Sequence, residues 1–462
     1  MFVPSRILRG PYQRRLALAA LDWTRAKDPP ISLGQASIVA ELRRHQIDVQ
    51  HQCWAVNRDT FDPEDVVSWA MAHDDGRTDM GIGAFVWNES AVQLILSRLK
   101  ECSFRGRLIL GGPQVSYVAQ DLEDYYPNAD IFVRGYAEHA LVRLMKSDDS
   151  DRTTLGGLLA IPGVHVKRQP DLGLSARTTL EDLPSPFLSG IIRPQRFIRW
   201  ETQRGCPFRC AFCQHRETKD NEALKRRQLS KDRICKEIQW ICRHKVISDV
   251  AVLDPTFNAG PDYVMVLDEL ATHGFVGKIS LQCRAEMVCE EFLIAVQRLN
   301  SNGAHVVLEF GLQTVHKVEQ RIIQRPNNLA KVDKVLKDCQ SMGIDFEISL
   351  IYGLPGQTLA SFQESLTWCL KRTPRPDAVS AFPLMLLRGT PIHDRKEELG
   401  LVESDSEVVN ADCSSLKHRI LKGIPHVVSS PSFSKSDWFA MAELAKESTK
   451  TLPSNADDPQ IV

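Results

Sequence analysis

The sequence contains the stretch Arg204-Gly205-Cys206-Pro207-Phe208-Arg209-Cys210-Ala211-Phe212-Cys213, in which three cysteines have the spacing Cys-x3-Cys-x2-Cys. A loop of this length can bring three thiolates around one small inorganic centre. Thiolates are soft ligands that suit iron–sulfur clusters and zinc. Three ligands leave one iron of a cubane cluster without a protein ligand, and an open iron can bind a substrate directly.

Two other interpretations of these cysteines are open from the residues alone. Free cysteines are often buried as small hydrophobic side chains, although this stretch is polar and carries Arg204 and Arg209, with Arg216 close behind. His215 lies two residues after Cys213 and would complete a Cys3His zinc site. A zinc-stabilised binding protein is therefore the alternative to an iron–sulfur enzyme.

Composition limits the classes of function. The chain has 462 residues, 43% of them hydrophobic, which is enough for the cores of two or three domains. Its net charge of −1 gives no overall attraction to nucleic acid or an anionic membrane. No apolar run approaches the ~20 residues that span a bilayer, and residues 1–15 do not resemble a secretory signal. The 12 cysteines do not suggest a disulfide framework, so we expect a reducing, cytoplasmic location.

The first part of the chain, residues 16–145, alternates strand and helix patterns, which predicts a doubly wound parallel sheet. Ligands of such sheets bind outside the carboxyl ends of the strands. Glycines at these ends let the backbone approach a bulky ligand closely. The residues that we expect at these ends, and that are candidates for binding a cofactor, are Trp87, Asn88, Gly111, Gly112 and Glu138.

A second series of strands and helices follows a proline-punctuated linker. It contains six β/α units that begin near Arg196 and end near Pro391, and each polar motif in it follows a strand. Chemistry in β/α barrels takes place at the carboxyl ends of the strands. We therefore predict a first domain (1–150), a linker (151–195), a catalytic core (196–391) and a small helical C-terminal extension (392–462) with a helix over 437–447.

The cysteine stretch, with the aromatic Phe212 before its third cysteine, resembles the cluster loop of the radical S-adenosylmethionine (radical SAM) enzymes. Their core is a (β/α)6 partial barrel, which fits the six units counted above. The resemblance implies that Cys206, Cys210 and Cys213 bind a [4Fe-4S] cluster whose open iron chelates S-adenosylmethionine (SAM). An electron, from a donor such as flavodoxin or ferredoxin, then splits the sulfonium to give a 5′-deoxyadenosyl radical.

The resemblance also implies a set of contacts with SAM. Arg284 would pair with the carboxylate, and Glu309 and Gln313 would contact the ribose and amino group. Gly353 to Gly356 resembles the motif after the fifth strand that lies against the adenine of SAM. The alternative role of Arg284 and Glu309 is a salt bridge inside the barrel, and the alternative role of these glycines is a plain turn. The expected SAM-binding residues are Phe212, Arg284, Glu309, Gln313, Gly353 and Gly356.

The first domain resembles the Rossmann-like cobalamin-binding domain of the cobalamin-dependent radical SAM family. The Asp-x-His-x-x-Gly loop that ligates cobalt in many cobalamin proteins is missing, because residues 24–34 contain no histidine. The resemblance implies cobalamin without a histidine ligand; the alternative is a domain that only buttresses the core.

The commonest activity of that family is methylation of an unactivated carbon of a small molecule. The second interpretation of the activity is a rearrangement, or transfer of another fragment of SAM. The sequence does not identify a catalytic side chain.

Overall fold

The computed structural model describes residues 14–118, 120–147, 161–215, 227–375, 378–405 and 423–447. The chain forms two compact units, and the first unit passes into the second between Pro194 and Gln195. Within the described ranges, no helix is both long enough and apolar enough to cross a membrane. The N-terminal residues 1–13, which we expected not to form a secretory signal, lie outside these ranges.

The first unit is built on one six-stranded sheet. Its strands are β1 (Arg15–Asp22), β2 (Val49–Ala55), β3 (Thr78–Gly83), β4 (Leu108–Gly111), β5 (Ile131–Val133) and β6 (Val164–Val166). Its helices are α1 (Leu33–Arg44), α2 (Pro63–Ala72), α3 (Glu89–Glu101), α4 (Pro113–Ser116), α5 (Leu122–Tyr125) and α6 (Glu138–Lys146). The strand order is β2-β1-β3-β4-β5-β6, and only β6 is antiparallel to its neighbour.

Hydrophobic cores cover both faces of this sheet. On one face Val66 of α2 and Ile95 of α3 pack in a core with alternate residues of β1, β3 and β4. On the other face Leu42 of α1 and Leu144 of α6 join a second core. Helices on both faces of a parallel sheet are the doubly wound arrangement that the sequence predicted. The strand order reverses between β1 and β3, which is where such sheets open a crevice for a ligand.

The second unit contains a sheet of six parallel strands. They are β7 (Phe197–Trp200), β10 (Asp249–Val252), β11 (Lys278–Cys283), β12 (His305–Gln313), β13 (Asp345–Tyr352) and β14 (Val379–Pro383), and between β7 and β10 lies a small ribbon of β8 (Gln203–Arg204) and β9 (Arg227–Gln228). The six strands are neighbours in chain order, from β7 to β14. Sequential parallel strands with intervening helices are the order of a partial β/α barrel.

Three of the helices between these strands, α7, α11 and α12, begin at residues whose side chains cap them. Ser230 accepts a hydrogen bond from the backbone of α7, Asn328 from that of α11, and Thr358 forms a capping box with Ser361 in α12. These helices are α7 (Lys231–Arg243), α8 (Tyr263–Thr272), α9 (Glu290–Ser301), α10 (Lys317–Ile322), α11 (Leu329–Ser341) and α12 (Leu359–Leu370).

The C-terminal extension contains strands, which the prediction of a helical region omitted. After the short helix α13 (Pro391–Asp394), strand β15 (Val402–Ser404) pairs antiparallel with β16 (His426–Ser429), and helix α14 (Lys435–Glu447) follows. In addition, Val427 N–H donates to Leu384 O just after β14 (3.0 Å). The extension is therefore hydrogen-bonded to the main sheet of its unit.

Candidate functional site

The loop that carries the three cysteines is held in place by backbone hydrogen bonds on both sides of Ala211. Its N–H donates to Ile323 O (2.8 Å), and its carbonyl accepts from Ile392 N–H (3.1 Å). Gln214 Nε2 also donates to Arg388 O (2.9 Å). The segment after β12 and the segment after β14 therefore fix the second half of the loop.

The first half of the loop is tied to the carboxyl end of β10 by three side chains. The fully buried carboxylate of Asp254 accepts hydrogen bonds from the backbone N–H of Thr202 (2.8 Å) and of Gln203 (3.2 Å). In return Gln203 Nε2 donates to Thr256 O (2.9 Å). Thr256 Oγ1 lies 3.5 Å from Cys206 Sγ. These contacts connect the buried sheet to the first thiol through one continuous chain of hydrogen bonds.

Two guanidinium groups lie beside the second thiol. Arg325 Nη1 is 3.5 Å from Cys210 Sγ, and its Nη2 donates to Gly311 O in β12. Arg284 stacks over the ring of Phe208 in the loop, 4.0 Å from the centroid. Burial and the positive charge of Arg325 lower the pKa of Arg284. A site with two adjacent cations favours thiolates and anionic ligands.

The third thiol shares this environment. Burial, together with the charges of Cys210 and Cys206, raises the pKa of Cys213 to about 11, so the three sulfur atoms influence one another. His215 donates its backbone N–H to Cys213 Sγ (3.4 Å). Over the described ranges, no three His, Cys, Asp or Glu side chains are grouped closely enough to hold a metal ion. In a four-iron cube each thiolate binds a different iron, so its ligands lie farther apart than those of a single ion.

The sequence profile of the Radical SAM superfamily matches residues 200–369, which include the loop and strands β10 to β13. Residues 200–369 of the chain are therefore similar to the radical SAM superfamily. This similarity implies SAM and a [4Fe-4S] cluster as cofactors, and it favours an iron–sulfur enzyme over a zinc-stabilised binding protein. The donor set fits the cluster, because three thiols on one clamped loop lie beside two guanidiniums.

Curated relatives include cobalamin-dependent radical SAM enzymes. The cobalamin-dependent radical SAM methyltransferase TokK of Streptomyces tokunonensis is 25% identical over 70% of this chain and 49% of its own length. The 2-(S-pantetheinyl)-carbapenam-3-carboxylate methyltransferase of Streptantibioticus cattleyicolor is 30% identical over 42% of this chain and 29% of its own length. The chain thus spans half or less of the length of these relatives.

The fold of both units also occurs in a solved radical SAM enzyme. The methyltransferase TsrM from Kitasatospora setae, solved with tryptophan and a SAM analogue, covers 94% of this chain and 89% of its own with a TM-score of 0.70 and 13% identity. A further TsrM structure contains cobalamin and a [4Fe-4S] cluster and matches with a TM-score of 0.67. The curated relatives support the predicted family, the cobalamin-dependent radical SAM enzymes, and the solved structures share its fold.

The expected SAM-binding residues of the radical SAM core lie near the loop or at carboxyl ends of strands. Phe212 is in the loop, and Arg284 follows β11, where it also contacts Glu286 (3.4 Å) as the salt-bridge alternative anticipated. Glu309 lies in β12 in register with Glu347 of β13. Gln313 ends β12 with a positive φ of 70°. Their contacts with SAM stay predictions.

The two glycines of the fifth-strand motif pack against protein. A Cβ on Gly353 would lie 3.0 Å from Val427 O and 3.4 Å from the Trp438 ring, and one on Gly356 would lie 2.9 Å from Ile322 Cδ1. Both have positive φ angles near 80°. The turn therefore needs glycine for its own packing, whether or not its other side contacts adenine.

In the first unit, the structure gives several predicted cofactor residues an internal role. The buried amide of Asn88 donates to Leu21 O and Gly83 O (3.0 Å each) and accepts from Phe85 N–H (2.8 Å). Trp87, in contrast, is 38% exposed. Asn88 therefore joins the ends of β1 and β3, whereas the adjacent Trp87 presents its side chain to the surface.

Glu138 is also engaged within the unit, because its buried carboxylate accepts a hydrogen bond from Ser37 Oγ (2.9 Å). The adjacent glycines of the Gly-Gly turn differ from each other. A Cβ on Gly112, whose φ is +90°, would lie 2.6 Å from Ala84 O, whereas one on Gly111 would meet only Val133 O at 3.5 Å. The contact of these residues with cobalamin stays a prediction.

Asp254, Gln203 and Thr256 hold the cluster loop. The sequence singles out the stretch 254–258, which contains Asp254 and Thr256 and resembles a family motif at the rim of the site, because side chains directly after a barrel strand lie at its reactive end. Gln203 has no such signal, since its partners are about fifty residues away in the chain.

Proposed function

We propose that this radical SAM enzyme is a cobalamin-dependent methyltransferase that acts on an unactivated carbon of a small molecule. The observation that carries the proposal is the pairing, in one chain, of a radical SAM core with a preceding doubly wound unit. TsrM, a methyltransferase by name, has the same fold over 94% of this chain. TokK and the carbapenam enzyme are also methyltransferases by name.

The carboxyl ends of β1 and β3 have features that fit cobalamin. They lie at the reversal of strand order, where ligands of such sheets bind. Trp87 stacks on Phe85 with centroids 4.5 Å apart, which offers an apolar surface to a large ring. Directly after β1, Trp23 Nε1 is buried, and no described group accepts its hydrogen bond. The loop that follows contains no histidine, so we propose that cobalt has no protein ligand.

In the core, the residues of this chain would bind and orient the cofactors. Cys206, Cys210 and Cys213 would hold the cluster, and Arg325 and Arg284 would balance negative charge beside it. When bound, the cluster supplies the electron that cleaves SAM, and cobalamin carries the methyl group. We propose flavodoxin or ferredoxin as the electron donor. A site for the substrate is not assigned.

The test is anaerobic reconstitution with iron, sulfide and cobalamin, followed by SAM labelled in its methyl group. We expect cobalt uptake and transfer of label to one compound of a host extract. The carbapenam named for the second relative is a first pure compound to try. Cleavage of SAM without cobalt uptake or label transfer would contradict the proposal and favour a rearrangement. Nitrogen ligation of cobalt in electron paramagnetic resonance would contradict the histidine-free site.

A further inference from the structure

A buried carboxylate connects two parts of the core that are distant in sequence. Glu319, in α10, is 1% exposed. It accepts hydrogen bonds from Thr314 Oγ1, from Ser361 Oγ (2.5 Å) and from Gln357 Nε2 (3.4 Å). Thr314 follows β12, Gln357 belongs to the connection between β13 and α12, and Ser361 lies in the first turn of α12. A buried carboxylate is costly unless such donors satisfy it, so these three donors fix its position.

The first part is a strained turn around Gln313. Thr314 N–H donates to Leu312 O (2.9 Å), which closes a three-residue turn with Gln313 at its centre and a φ of +70°. A residue with a side chain rarely adopts this conformation and keeps it only where the surroundings enforce it. Asn327 Nδ2 donates to Leu312 O (2.8 Å) and to Thr314 O (3.0 Å). Together with the bond from Thr314 to Glu319, these contacts hold the turn.

The second part is the loop of residues 353–358. Gln357 is fully buried; its Oε1 accepts from Leu354 N–H (3.2 Å) and its Nε2 donates to Ile351 O (3.2 Å). The hydroxyl of Ser361 caps the same loop by accepting from Thr358 N–H (2.9 Å). Each of Gln357 and Ser361 also donates to the carboxylate described above, so the loop is tied to it at two points.

We propose that Glu319 is a positioning residue that fixes the Gln313 turn relative to the loop 353–358. Both segments are expected to contact SAM. By binding both, the Glu319 carboxylate would keep the two halves of the SAM site in one fixed relative position. The proposal rests on the SAM contacts expected for Gln313, Gly353 and Gly356, and it is independent of methyl transfer. A purely structural carboxylate would instead stabilise the fold without coupling the two segments.

The test uses cluster-loaded protein with Thr314→Val, which removes a hydroxyl donor at similar volume, and with Ser361→Ala. We expect each to weaken SAM binding in equilibrium dialysis by about tenfold, the loss of one hydrogen bond to a charged group. Iron content should stay the same. Thr314→Ser should restore binding to within about twofold, because it keeps the hydroxyl. Glu364→Gln is the matched control, since this exposed α12 carboxylate pairs with His316 (3.3 Å).

Coupling distinguishes the proposal from a structural role. In Thr314→Val, amide hydrogen exchange should rise at 353–358 as well as at 312–314. The double variant should bind SAM about tenfold more weakly than wild type, not about a hundredfold, because both changes break the same connection. Additive losses, exchange confined to one segment, or unchanged binding would overturn the proposal. Absence of SAM binding in the wild-type protein would overturn the cofactor assignment together with this proposal.

Discussion

Asn88 in the first unit and Asn258 in the second are buried asparagines at the carboxyl ends of parallel strands. Asn88 bonds the backbone after β3 to that of β1, and Asn258 both donates to Arg284 O and accepts from Arg284 N–H (2.9 Å each). Both side-chain amides form hydrogen bonds with backbone groups. The two edges differ in what surrounds them. Guanidiniums and thiols lie near Asn258, whereas an exposed tryptophan lies beside Asn88.

This difference shows which residues at a strand end carry information about a ligand. Amide side chains and tightly packed glycines build the edge in both units. The charged and thiol groups of the second unit suit a small anionic centre, and the aromatic surface of the first suits a large, flat ligand.

Replacement of a cluster thiol should have the largest effect. We expect Cys206→Ala, Cys210→Ala and Cys213→Ala each to abolish iron binding and SAM cleavage, because a site with three thiolates has no spare ligand. Iron analysis and deoxyadenosine assays provide the measurement. Cys53→Ala and Cys102→Ala, in the first unit, are the controls and should keep full iron content. Full iron in any of the first three variants would refute the cluster assignment.

The Gly-Gly turn after β4 provides a matched pair in the first unit. Gly112→Ala should lower the free energy of unfolding by about 3 kcal/mol, because the new Cβ would collide with Ala84 O at a positive φ. Gly111→Ala should cost less than about 0.5 kcal/mol. Urea unfolding measures both. If Gly111→Ala is as stable as the wild type but takes up less cobalamin, Gly111 allows the ligand to approach the backbone closely. Equal stability of the two variants would contradict the packing argument.

Asp254 should give stability a dependence on pH. Burial, with a smaller contribution from the charge of Glu201, raises its pKa from 3.8 to about 7. The folded state therefore holds a proton that the unfolded state has released, so the contribution is full below pH 3.8 and is lost as pH rises through 7. Between pH 6 and 8 the wild type should lose about 1 kcal/mol relative to Asp254→Asn. Parallel urea-midpoint profiles for the two proteins would show that the pKa is not raised.

His215→Ala should have the smallest effect. Only its backbone N–H contacts Cys213 Sγ, so loss of the imidazole should leave iron content and brown colour unchanged. Metal analysis by mass spectrometry checks this. A lower metal stoichiometry in the variant would instead support the interpretation of His215 as a metal ligand.

The sequence predicted most elements, because hydrophobic spacing and capping agree in them. The apolar residues of 231–243 have helical spacing, which predicts a helix, and α7 is found there after the cap Ser230. Helix α2 was missed, although Asp62 and Pro63 are typical helix-start residues and Asp62 accepts from Glu64 N–H. Strand boundaries differ by one to three residues: the sequence predicts strands over 129–133 and 378–386, whereas β5 covers Ile131–Val133 and β14 covers Val379–Pro383.

The sequence predicts those parts of the site whose chemistry depends on spacing along the chain, such as the three cysteines. It does not predict those parts whose function depends on partners from distant segments. No pattern in α10 marks Glu319, because its donors lie after β12 and after β13. Nor can sequence distinguish Gly111 from Gly112, since the difference lies in how closely Ala84 approaches.

The packing of Gly353 against the C-terminal extension has a consequence for biosynthesis. Val427 and Trp438, which cover this glycine, leave the ribosome long after the loop that they cover. The first unit has all its described strands available once residue 166 has emerged. The core therefore cannot complete this packing until Trp438 has emerged, so a nonsense mutation just before Trp438 should lower cluster insertion even though all three cysteines are present.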